Sequence, residues 1–408
     1  MIYFDNAATT KPNDEVVALF NKVETESFGN SSSIHGLGFS SNALLNKSRE
    51  IILKYFKLTK HNVYFCSSAT EGNNIAIKGY ALKFKSRGTH LITSTIEHPS
   101  VLECFKQLES FGFEVTYLKP NKDGVIEPEV LKHALRDDTI LVSIMAVNNE
   151  IGSINPIEEY AKIIANYPKV KLHVDATQAV GKINLNYSDV DMFTFSGHKI
   201  HGLKNSGVLI MKKGIEMIPV ISGGGQEDGL RSGTVSTSMA VSLAKALTLS
   251  KPSNSINELH DHLFNELSKI DGITINSPKN GSSYIVNFSS TKKKASVIVE
   301  GLSNRQIYIS SVSACHSKFE PISYVVKEVT GDEKLASNTL RVSFDNSNTM
   351  EEVDAFLKNL KELLETLKWS IHILWFALVN FLQKVKIKNN LLKHWQETFA
   401  DVYLIFQV

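Results

Sequence analysis

Cysteine is scarce in this sequence of 408 residues, and its three cysteines lie far apart. Cys66, Cys104 and Cys315 cannot all pair with one another, and none belongs to a Cys-x-x-Cys motif of the kind that binds metal. The sequence therefore predicts neither a disulfide framework nor a metal site. Free thiols favour a reducing compartment, so a cytoplasmic location is expected.

An excess of charge of one sign is also lacking, since 44 Lys and Arg residues nearly balance 42 Asp and Glu residues. Without a basic block, direct binding of nucleic acid is not expected. Residues 1–5 lack the basic region and apolar core of a signal peptide, so none is expected.

The most apolar stretch, Trp369–Leu382, is short compared with the roughly twenty residues of a bilayer span. Lysines follow it at positions 384, 386 and 388. We interpret this tail as a packing or partner-binding appendage, with contact to a membrane surface as the less favoured alternative.

The length of the chain predicts two domains, because it exceeds what one ordinary hydrophobic core contains. Strand and helix patterns alternate up to about residue 250, which is typical of a mainly parallel sheet covered on both faces. The polar stretch Lys251–Ser255 indicates a boundary, and a smaller α+β pattern follows it. We expect an N-terminal segment (1–14) packed with the small domain, a large domain (15–252), a small domain (253–367) and an atypical tail (368–408).

Two predicted strands end on polar side chains. The apolar run from Val170 ends on Asp175, and the run from Val190 ends on Ser196, with His198 and Lys199 just beyond it. Since strands of an α/β sheet present ligand-binding residues at their carboxyl edge, we expect these side chains to form a site.

The chemistry of these side chains suits pyridoxal phosphate. This cofactor needs a lysine for its aldehyde, a carboxylate for its ring nitrogen, and hydroxyl or amide donors for its phosphate. Lys199 is the candidate Schiff-base lysine and Asp175 the candidate ring-nitrogen partner. Taken alone, Lys199 also fits a solvated surface group and Asp175 a turn former or helix cap.

A second feature is the strand-to-helix junction that carries Ser68, Ala69, Thr70 and Glu71. Small residues at such a junction expose backbone N–H groups at the positive end of a helix, which suits a phosphate. The spacing of Ser68 and Glu71 also fits a capping box, and both interpretations are compatible.

Several further residues each allow two interpretations. His98, just before Pro99, suits either ring stacking and proton relay or a helix entry. Arg341 lies on a predicted strand and suits either a bidentate carboxylate contact or a surface ion pair. Cys315 lies among hydroxyl groups beside His316, which favours an exposed, ionisable thiol over a buried, inert one. The glycine-rich stretch 223–234 resembles a mobile loop with phosphate-binding chemistry or a linker.

Taken together, these motifs resemble the cysteine desulfurases of the NifS/IscS type, within the class V aminotransferase family. The resemblance covers about residues 2–365. The matching motifs occur in the family's order: Phe4–Thr10, Ser68–Glu71, Glu97-His98, Val147–Gly152, His173–Gln178, Ser196–Lys199, Gly223–Glu227 with Arg231–Thr234, and Ser313–Cys315.

The resemblance implies an α/β enzyme of the fold-type I class that depends on pyridoxal 5′-phosphate and acts as a homodimer. Its large domain would hold a mainly parallel seven-stranded sheet covered by helices, beside a smaller α+β domain. The implied reaction converts L-cysteine to L-alanine and transfers the sulfur as a persulfide on Cys315. The acceptor would be an iron–sulfur scaffold or a tRNA-thiolation enzyme.

The resemblance also implies cofactor contacts, with Lys199 as its attachment point and Asp175 on the ring nitrogen. Gln178 would bond the ring hydroxyl, and His98 would stack on the ring as a further catalytic residue. The remaining implied cofactor contacts are Ala69, Thr70, Asn149, Ser196, His198 and, from the neighbouring subunit, Thr234.

The implied substrate contacts are Asn149 and Arg341, which would bind the carboxylate, while Cys315 would be the nucleophile. Val312 stands where the family usually has glycine, and His316 after the thiol is atypical, so turnover and acceptor choice are open. The alternatives are a selenocysteine lyase, an aminotransferase or a kynureninase-like hydrolase on the same scaffold, or a low-turnover scaffold protein. Aminotransferases have no need for the thiol, which separates them from the favoured function.

Overall fold

The computed structural model describes residues 1–311 and 322–365. The chain divides into two compact units, Met1–Asp354 and Ala355–Val408. The expected four-part division is finer than this one and stays a prediction. Cys315 with its neighbours Val312 and His316, and the tail from 368 onward, lie outside the described residues.

The strands form three sheets. Their bounds are β1 (Ile2–Tyr3), β2 (His61–Cys66), β3 (His90–Ser94), β4 (Glu114–Leu118), β5 (Thr139–Ser143), β6 (Lys171–Asp175), β7 (Met192–Ser196), β8 (Gly207–Lys212), β9 (Ile273–Ile275), β10 (Ile285–Ser290), β11 (Ile307–Tyr308), β12 (Ser310–Ser311) and β13 (Thr339–Ser343).

The helices occupy the connections between strands. Their bounds are α1 (Asp14–Glu26), α2 (Gly36–Tyr55), α3 (Ala69–Lys83), α4 (Pro99–Ser110), α5 (Pro128–Ala134), α6 (Ile157–Ile164), α7 (Thr237–Leu249), α8 (Ser255–Ser268), α9 (Ala295–Ser303), α10 (Tyr324–Thr330), α11 (Glu333–Ser337) and α12 (350–365). In the described ranges, no helix combines the length and the apolar character that a membrane crossing needs.

The main sheet has seven strands in the order β2-β8-β7-β6-β5-β3-β4. Strand β8 runs antiparallel to both of its neighbours, and the other pairs are parallel. The predicted seven-stranded, mainly parallel sheet is thus confirmed. All residues of β5 and β7 are buried, as expected for strands covered on both faces.

The two faces of this sheet contribute to separate cores, because successive side chains of a strand point to opposite sides. In β8, Val208 and Ile210 belong to a core that also includes residues of α2, α6 and α7. Leu209 and Met211, which alternate with them, belong to a core with residues of α3 and α4. This alternation makes a three-layered arrangement of helices, sheet and helices.

The sequence is apolar almost without interruption from Thr139 to Val147, but strand β5 ends at Ser143. Beyond that point the backbone N–H of Met145 donates to the carboxyl of Glu97 over 3.0 Å, so a side chain replaces the next strand partner. The backbone of Ala146 still reaches the carbonyl of Asp175 over 2.9 Å. The buried carboxyl of Glu97 therefore ends the ladder and opens space at the sheet edge.

A smaller antiparallel sheet, in the order β12-β13-β10-β9, lies in the C-terminal part of the first unit. The N-terminal strand β1 pairs in parallel with β11. The ring of Phe4 packs edge-on against Phe344, with 5.4 Å between the ring centroids. The first residues of the chain therefore pack against residues near 307 and 344, which lie within the range assigned to the predicted small domain.

Candidate active site

The predicted lysine and carboxylate lie at the same edge of the main sheet. Asp175 is the last residue of β6 and is 5% exposed. Lys199 ends a single 3-10 turn that follows β7. The amine of Lys199 donates to the carbonyls of Ala7 and Ala8, each over 2.6 Å, so the N-terminal segment forms one wall of the site.

The carboxylate of Asp175 is held by two donors. Its Oδ2 accepts from the side-chain amide of Asn73 over 3.0 Å, and its Oδ1 accepts from the backbone N–H of Thr177 over 3.0 Å. Asn73 is fully buried on α3, and its Oδ1 accepts from the hydroxyl of Thr194. The sequence analysis missed Asn73, because an amide inside a helix carries no recognisable pattern.

His98 is connected to the same network through Ser100. The Nδ1 atom of His98 accepts from the backbone N–H of Ser100 over 3.1 Å, so His98 caps α4 as the alternative interpretation held. Ser100 Oγ lies 2.8 Å from the same Nδ1 and accepts from Asn73 over 2.9 Å. Because a backbone N–H can only donate, Nδ1 carries no proton, and the neutral ring of His98 is protonated at Nε2.

Gln178 lies between the N-terminal segment and a second lysine. Its Nε2 donates to the carbonyl of Ala7 over 2.9 Å, the carbonyl that also receives Lys199. Its Oε1 accepts from the amine of Lys182 over 2.6 Å. Lys182 is not among the residues predicted from the sequence. Its position four residues after Gln178 is the one sequence feature that relates the two side chains.

The start of α3 forms the end of the site that suits a phosphate. Ser68 caps the helix by accepting from the backbone N–H of Glu71, as the capping-box interpretation predicts. The carboxyl of Glu71 accepts from the backbone N–H of Ser67, one residue before the cap, so the reciprocal bond of a capping box is shifted by one residue. The backbone N–H of Ala69 donates to Ser196 Oγ over 2.7 Å. Thr70, next along α3, is exposed. Backbone donors at the positive end of a helix thus adjoin a hydroxyl from β7.

His198 lies beside this end of the site as a neutral ring. Burial lowers its pKa to about 4, and the positive charges of Lys199, Lys204 and Lys182 act in the same direction. Its Nδ1 lies 3.2 Å from the hydroxyl of Thr9. At neutral pH, His198 therefore offers hydrogen bonds without a positive charge.

The two predicted carboxylate binders are direct neighbours. The guanidinium of Arg341 donates to the backbone carbonyl of Asn149 over 2.8 Å and to Asp5 over 3.0 Å. Among the described residues, Nε of Arg341 and Oδ1 of Asn149 are buried without a hydrogen-bond partner. Such buried, unsatisfied atoms fit a polar ligand that would bind beside them.

The glycine-rich stretch 223–234 is anchored at two points by ion pairs. Glu227 is buried and accepts from Arg49 over 2.6 Å and from the backbone of Phe65 over 2.8 Å. Arg231 donates to Glu71 over 2.9 Å. Two positions of the stretch are therefore tied to other elements, Glu227 to Arg49 on α2 and Arg231 to Glu71 on α3. A mobile loop stays a prediction for the rest of the stretch. Thr234 is exposed, and its role across subunits stays a prediction.

Two buried carboxyl groups flank the site. Burial raises the pKa of Glu97 to about 8, although Ser94 and the backbone of Met145 donate to it. Burial likewise raises the pKa of Glu150 to about 7, with Ser323 donating to its carboxyl. Each is adjacent in sequence to a predicted site residue, His98 or Asn149.

The arrangement fits pyridoxal phosphate. It offers a lysine amine at the sheet edge, a carboxylate held by two donors, an amide and a helix start with a nearby hydroxyl. In addition, the hydroxyl of Thr177, two residues after Asp175, is buried without a hydrogen-bond partner among the described residues. A polar group bound between these side chains would satisfy it.

Comparison with known proteins agrees with these features. The sequence model of the aminotransferase class-V family matches residues 2–356. A NifS/IcsS protein homolog from Lactobacillus delbrueckii subsp. bulgaricus is 40% identical over 375 residues, which cover 90% of this chain and 97% of that protein. A cysteine desulfurase IscS from Dictyoglomus turgidum is 37% identical over 376 residues, 90% of this chain and 95% of that protein.

The solved structure of a NifS-like protein is similar to this chain, with a TM-score of 0.82 at 36% identity. The match covers 89% of this chain and 99% of the other. The resemblance that the motifs indicated is confirmed by these matches.

Proposed function

Because the chain belongs to the class V aminotransferase family, we propose that it is a pyridoxal 5′-phosphate-dependent cysteine desulfurase. It converts L-cysteine to L-alanine and passes the sulfur to an acceptor. The observation that carries this proposal is the meeting of Lys199, Asp175 and Gln178 at one sheet edge. The similarity to a cysteine desulfurase IscS supports the choice of reaction.

Lys199 would hold the cofactor, and Asp175 would pair with its ring nitrogen. When bound, pyridoxal phosphate withdraws electrons from the Cα of an amino acid. The donors from Asn73 and Thr177 fix the orientation of the Asp175 carboxylate, which would stabilise a proton on that nitrogen. Ala69, Thr70, Ser196 and His198 would bind the phosphate at the start of α3.

Arg341 and Asn149 orient the substrate by its carboxylate. The unsatisfied Nε–H of Arg341 supports this assignment, because it can donate to a carboxylate while Asn149 and Asp5 fix the guanidinium. Asn149 would reach the carboxylate through its amide NH2 group, since its Oδ1 can only accept.

Proton transfer falls to Lys199 and His98. The carbonyls of Ala7 and Ala8 hold the amine of Lys199 at the sheet edge, where it would move the Cα proton of the substrate. His98 would stack on the cofactor ring, with its exchangeable proton on Nε2. Its tautomer is fixed by the cap on α4.

Cys315, in its thiolate form, attacks the sulfur of the substrate. Its electron pair forms the new S–S bond, the bond between the substrate's Cβ and its sulfur breaks, and that bond's electron pair stays with the carbon, which takes up a proton to become alanine. The enzyme is left with a persulfide on Cys315. An iron–sulfur scaffold or a tRNA-thiolation enzyme then accepts the outer sulfur.

The test is to incubate the purified protein with L-cysteine and follow the cofactor absorbance, alanine and protein-bound persulfide together. Borohydride reduction of the native protein should leave a pyridoxyl group on Lys199; its absence would refute the proposal. Cys315→Ser should keep the yellow cofactor and lose persulfide formation. An aminotransferase would instead form no persulfide in either protein.

A homodimer is supported by large apolar side chains that one chain leaves exposed. Phe28 is 70% exposed and Ile34 is 91% exposed, and Leu37 and Phe39 of the same segment are also exposed. A neighbouring subunit would cover such a patch and would bring its Thr234 to the phosphate. Analytical ultracentrifugation should give twice the chain mass, and Ile34→Asp should lower it.

A further inference from the structure

A second lysine lies in the site and takes no part in the steps above. Lys182 is 8% exposed, and its amine donates to Oε1 of Gln178 over 2.6 Å. Burial lowers its pKa to about 7, with the positive charges of Lys199 and Arg341 acting in the same direction. A lysine that is buried beside other cations costs stability, which asks for a functional reason.

The hydrogen bonds of Gln178 allow only one orientation of its amide. The amine of Lys182 donates to Oε1, while the carbonyl of Ala7, which can only accept, receives a hydrogen from Nε2. Turning the amide over would place its NH2 group against the amine and its oxygen against the carbonyl of Ala7. Two acceptors would then face each other at Ala7, and the ammonium form of Lys182 would repel the NH2 group, so Lys182 and Ala7 together define which end of the amide faces the site.

We infer that Lys182 is a positioning residue that keeps the NH2 group of Gln178 directed toward the ring oxygen of the bound cofactor. The inference rests on the proposed function, in which Gln178 bonds that oxygen. The carbonyl of Ala7 supports the geometry, because it receives both the amide of Gln178 and the amine of Lys199, the residue that holds the cofactor.

This role predicts a defined effect when the amine is removed. In Lys182→Met the amide of Gln178 loses the donor that fixes it, and the ring oxygen faces an amide of mixed orientation. One hydrogen bond of this kind corresponds to about a three- to tenfold change in an equilibrium constant. We expect the dissociation constant of pyridoxal 5′-phosphate to rise by about that factor, and the pH midpoint of the cofactor's visible absorbance to shift.

The test is a double-mutant cycle with Gln178→Leu. If Lys182 acts through Gln178, Lys182→Met should change neither the affinity nor the absorbance midpoint in the Gln178→Leu background. A full-sized effect in that background, or a single variant that matches the wild type, would overturn the inference. Failure of the wild type itself to retain the cofactor at Lys199 would instead refute the proposed function.

Two further variants complete the design. Lys182→Arg keeps an N–H donor, and the cavity of about 440 Å³ that Lys182 partly lines leaves room for the longer side chain. Lys182→Arg should keep the wild-type pH midpoint of the absorbance. A clear shift of that midpoint in Lys182→Arg would contradict the inference, and this result does not depend on whether Lys182→Met folds. Lys212→Met, at the last residue of β8, removes a half-buried lysine that donates to the backbone carbonyl of Asp189 and to the carboxylate of Asp191. It should leave the absorbance unchanged.

Discussion

The guanidinium of Arg341 donates to the backbone carbonyl of Asn149 over 2.8 Å, although 192 positions separate the two residues along the chain. Arg341 lies on β13 of the smaller sheet, and Asn149 lies in the loop that follows β5 of the main sheet. The contact thus joins the two sheets at the place where we assign binding of the substrate carboxylate. Each sheet contributes one half of that binding pair.

Arg341→Lys should weaken cysteine binding more than it slows turnover. Lysine keeps the charge but lacks the planar, multi-donor group that reaches Asn149, Asp5 and a carboxylate at once. A charged hydrogen bond accounts for about a ten- to hundredfold change, which should appear as a higher KM in steady-state alanine formation.

The control for this variant is Arg136→Lys, which alters an exposed arginine paired with Glu114 and should leave KM unchanged. An unchanged KM in Arg341→Lys would remove Arg341 from the substrate site.

Asn73→Ala should lower kcat about tenfold and weaken cofactor binding several-fold. The variant removes the donor that Asp175 receives from α3, so the carboxylate is free to turn away from the ring nitrogen. It also removes the hydrogen bond to Ser100 and thereby loosens His98. Stopped-flow absorbance after mixing with cysteine measures the slowed step.

Asn74→Ala is the matched control, because Asn74 is the next residue of α3 and, within the part of the chain that the structure describes, its amide donates to the carbonyl of Thr70 alone. Equal rates for both variants would mean that the effect comes from α3 in general and that Asn73 has no positioning role.

Glu97→Gln should flatten the dependence of stability on pH. Burial raises the pKa of Glu97 to about 8, so the folded protein keeps this carboxyl neutral while the unfolded chain ionises it at a lower pH. The contribution of Glu97 to the free energy of unfolding is fully present below the ordinary pKa of glutamate. It is lost as pH rises through about 8. Urea unfolding of both proteins across this pH range measures the difference.

Glutamine cannot ionise, so the free energy of unfolding of the Glu97→Gln variant should no longer decline over this pH range. Glu103→Gln, an exposed change on α4, should keep the wild-type curve. If the free energy of unfolding of Glu97→Gln declines with pH as steeply as that of the wild type, ionisation of Glu97 does not destabilise the folded protein.

Arg49→Met should destabilise the protein by about 2–3 kcal/mol, because it leaves the buried carboxyl of Glu227 without its cation. The figure lies below that of a wholly buried pair, since Arg49 keeps some exposure. Thermal unfolding monitored by circular dichroism measures the change.

Lys47→Met, two residues before Arg49 on α2, breaks an exposed pair with Glu50 and should cost less than about 1 kcal/mol. Similar values for the two variants would mean that the ion pair at Glu227 does not hold the glycine-rich stretch.

Much of the fold and of the site was predictable, because both depend on patterns within short stretches of the sequence. Alternating apolar runs predict strands, and polar residues at their ends meet when parallel strands line up, which is how Asp175, Ser196 and Lys199 were identified. The small residues from Ser67 to Thr70 likewise predicted the helix start that the structure has.

The supporting residues were not predictable, because they depend on how distant elements pack. Asn73 and Asp175 are 102 positions apart, and only the packing of α3 on the sheet joins them. Glu227 looked like part of a flexible glycine-rich stretch, yet its partner Arg49 is 178 positions away. Lys182 carries no motif of its own, and its burial beside Gln178 is what distinguishes it.

The first ten residues form part of the candidate active site, because the carbonyls of Ala7 and Ala8 accept from Lys199. Proteolytic removal of this segment would remove these two acceptors and also Asp5, the counter-ion of Arg341. The pairing of β1 with β11 and the packing of Phe4 on Phe344 would be lost as well. A purification tag is therefore safer behind a flexible spacer, since strand β1 starts at the second residue.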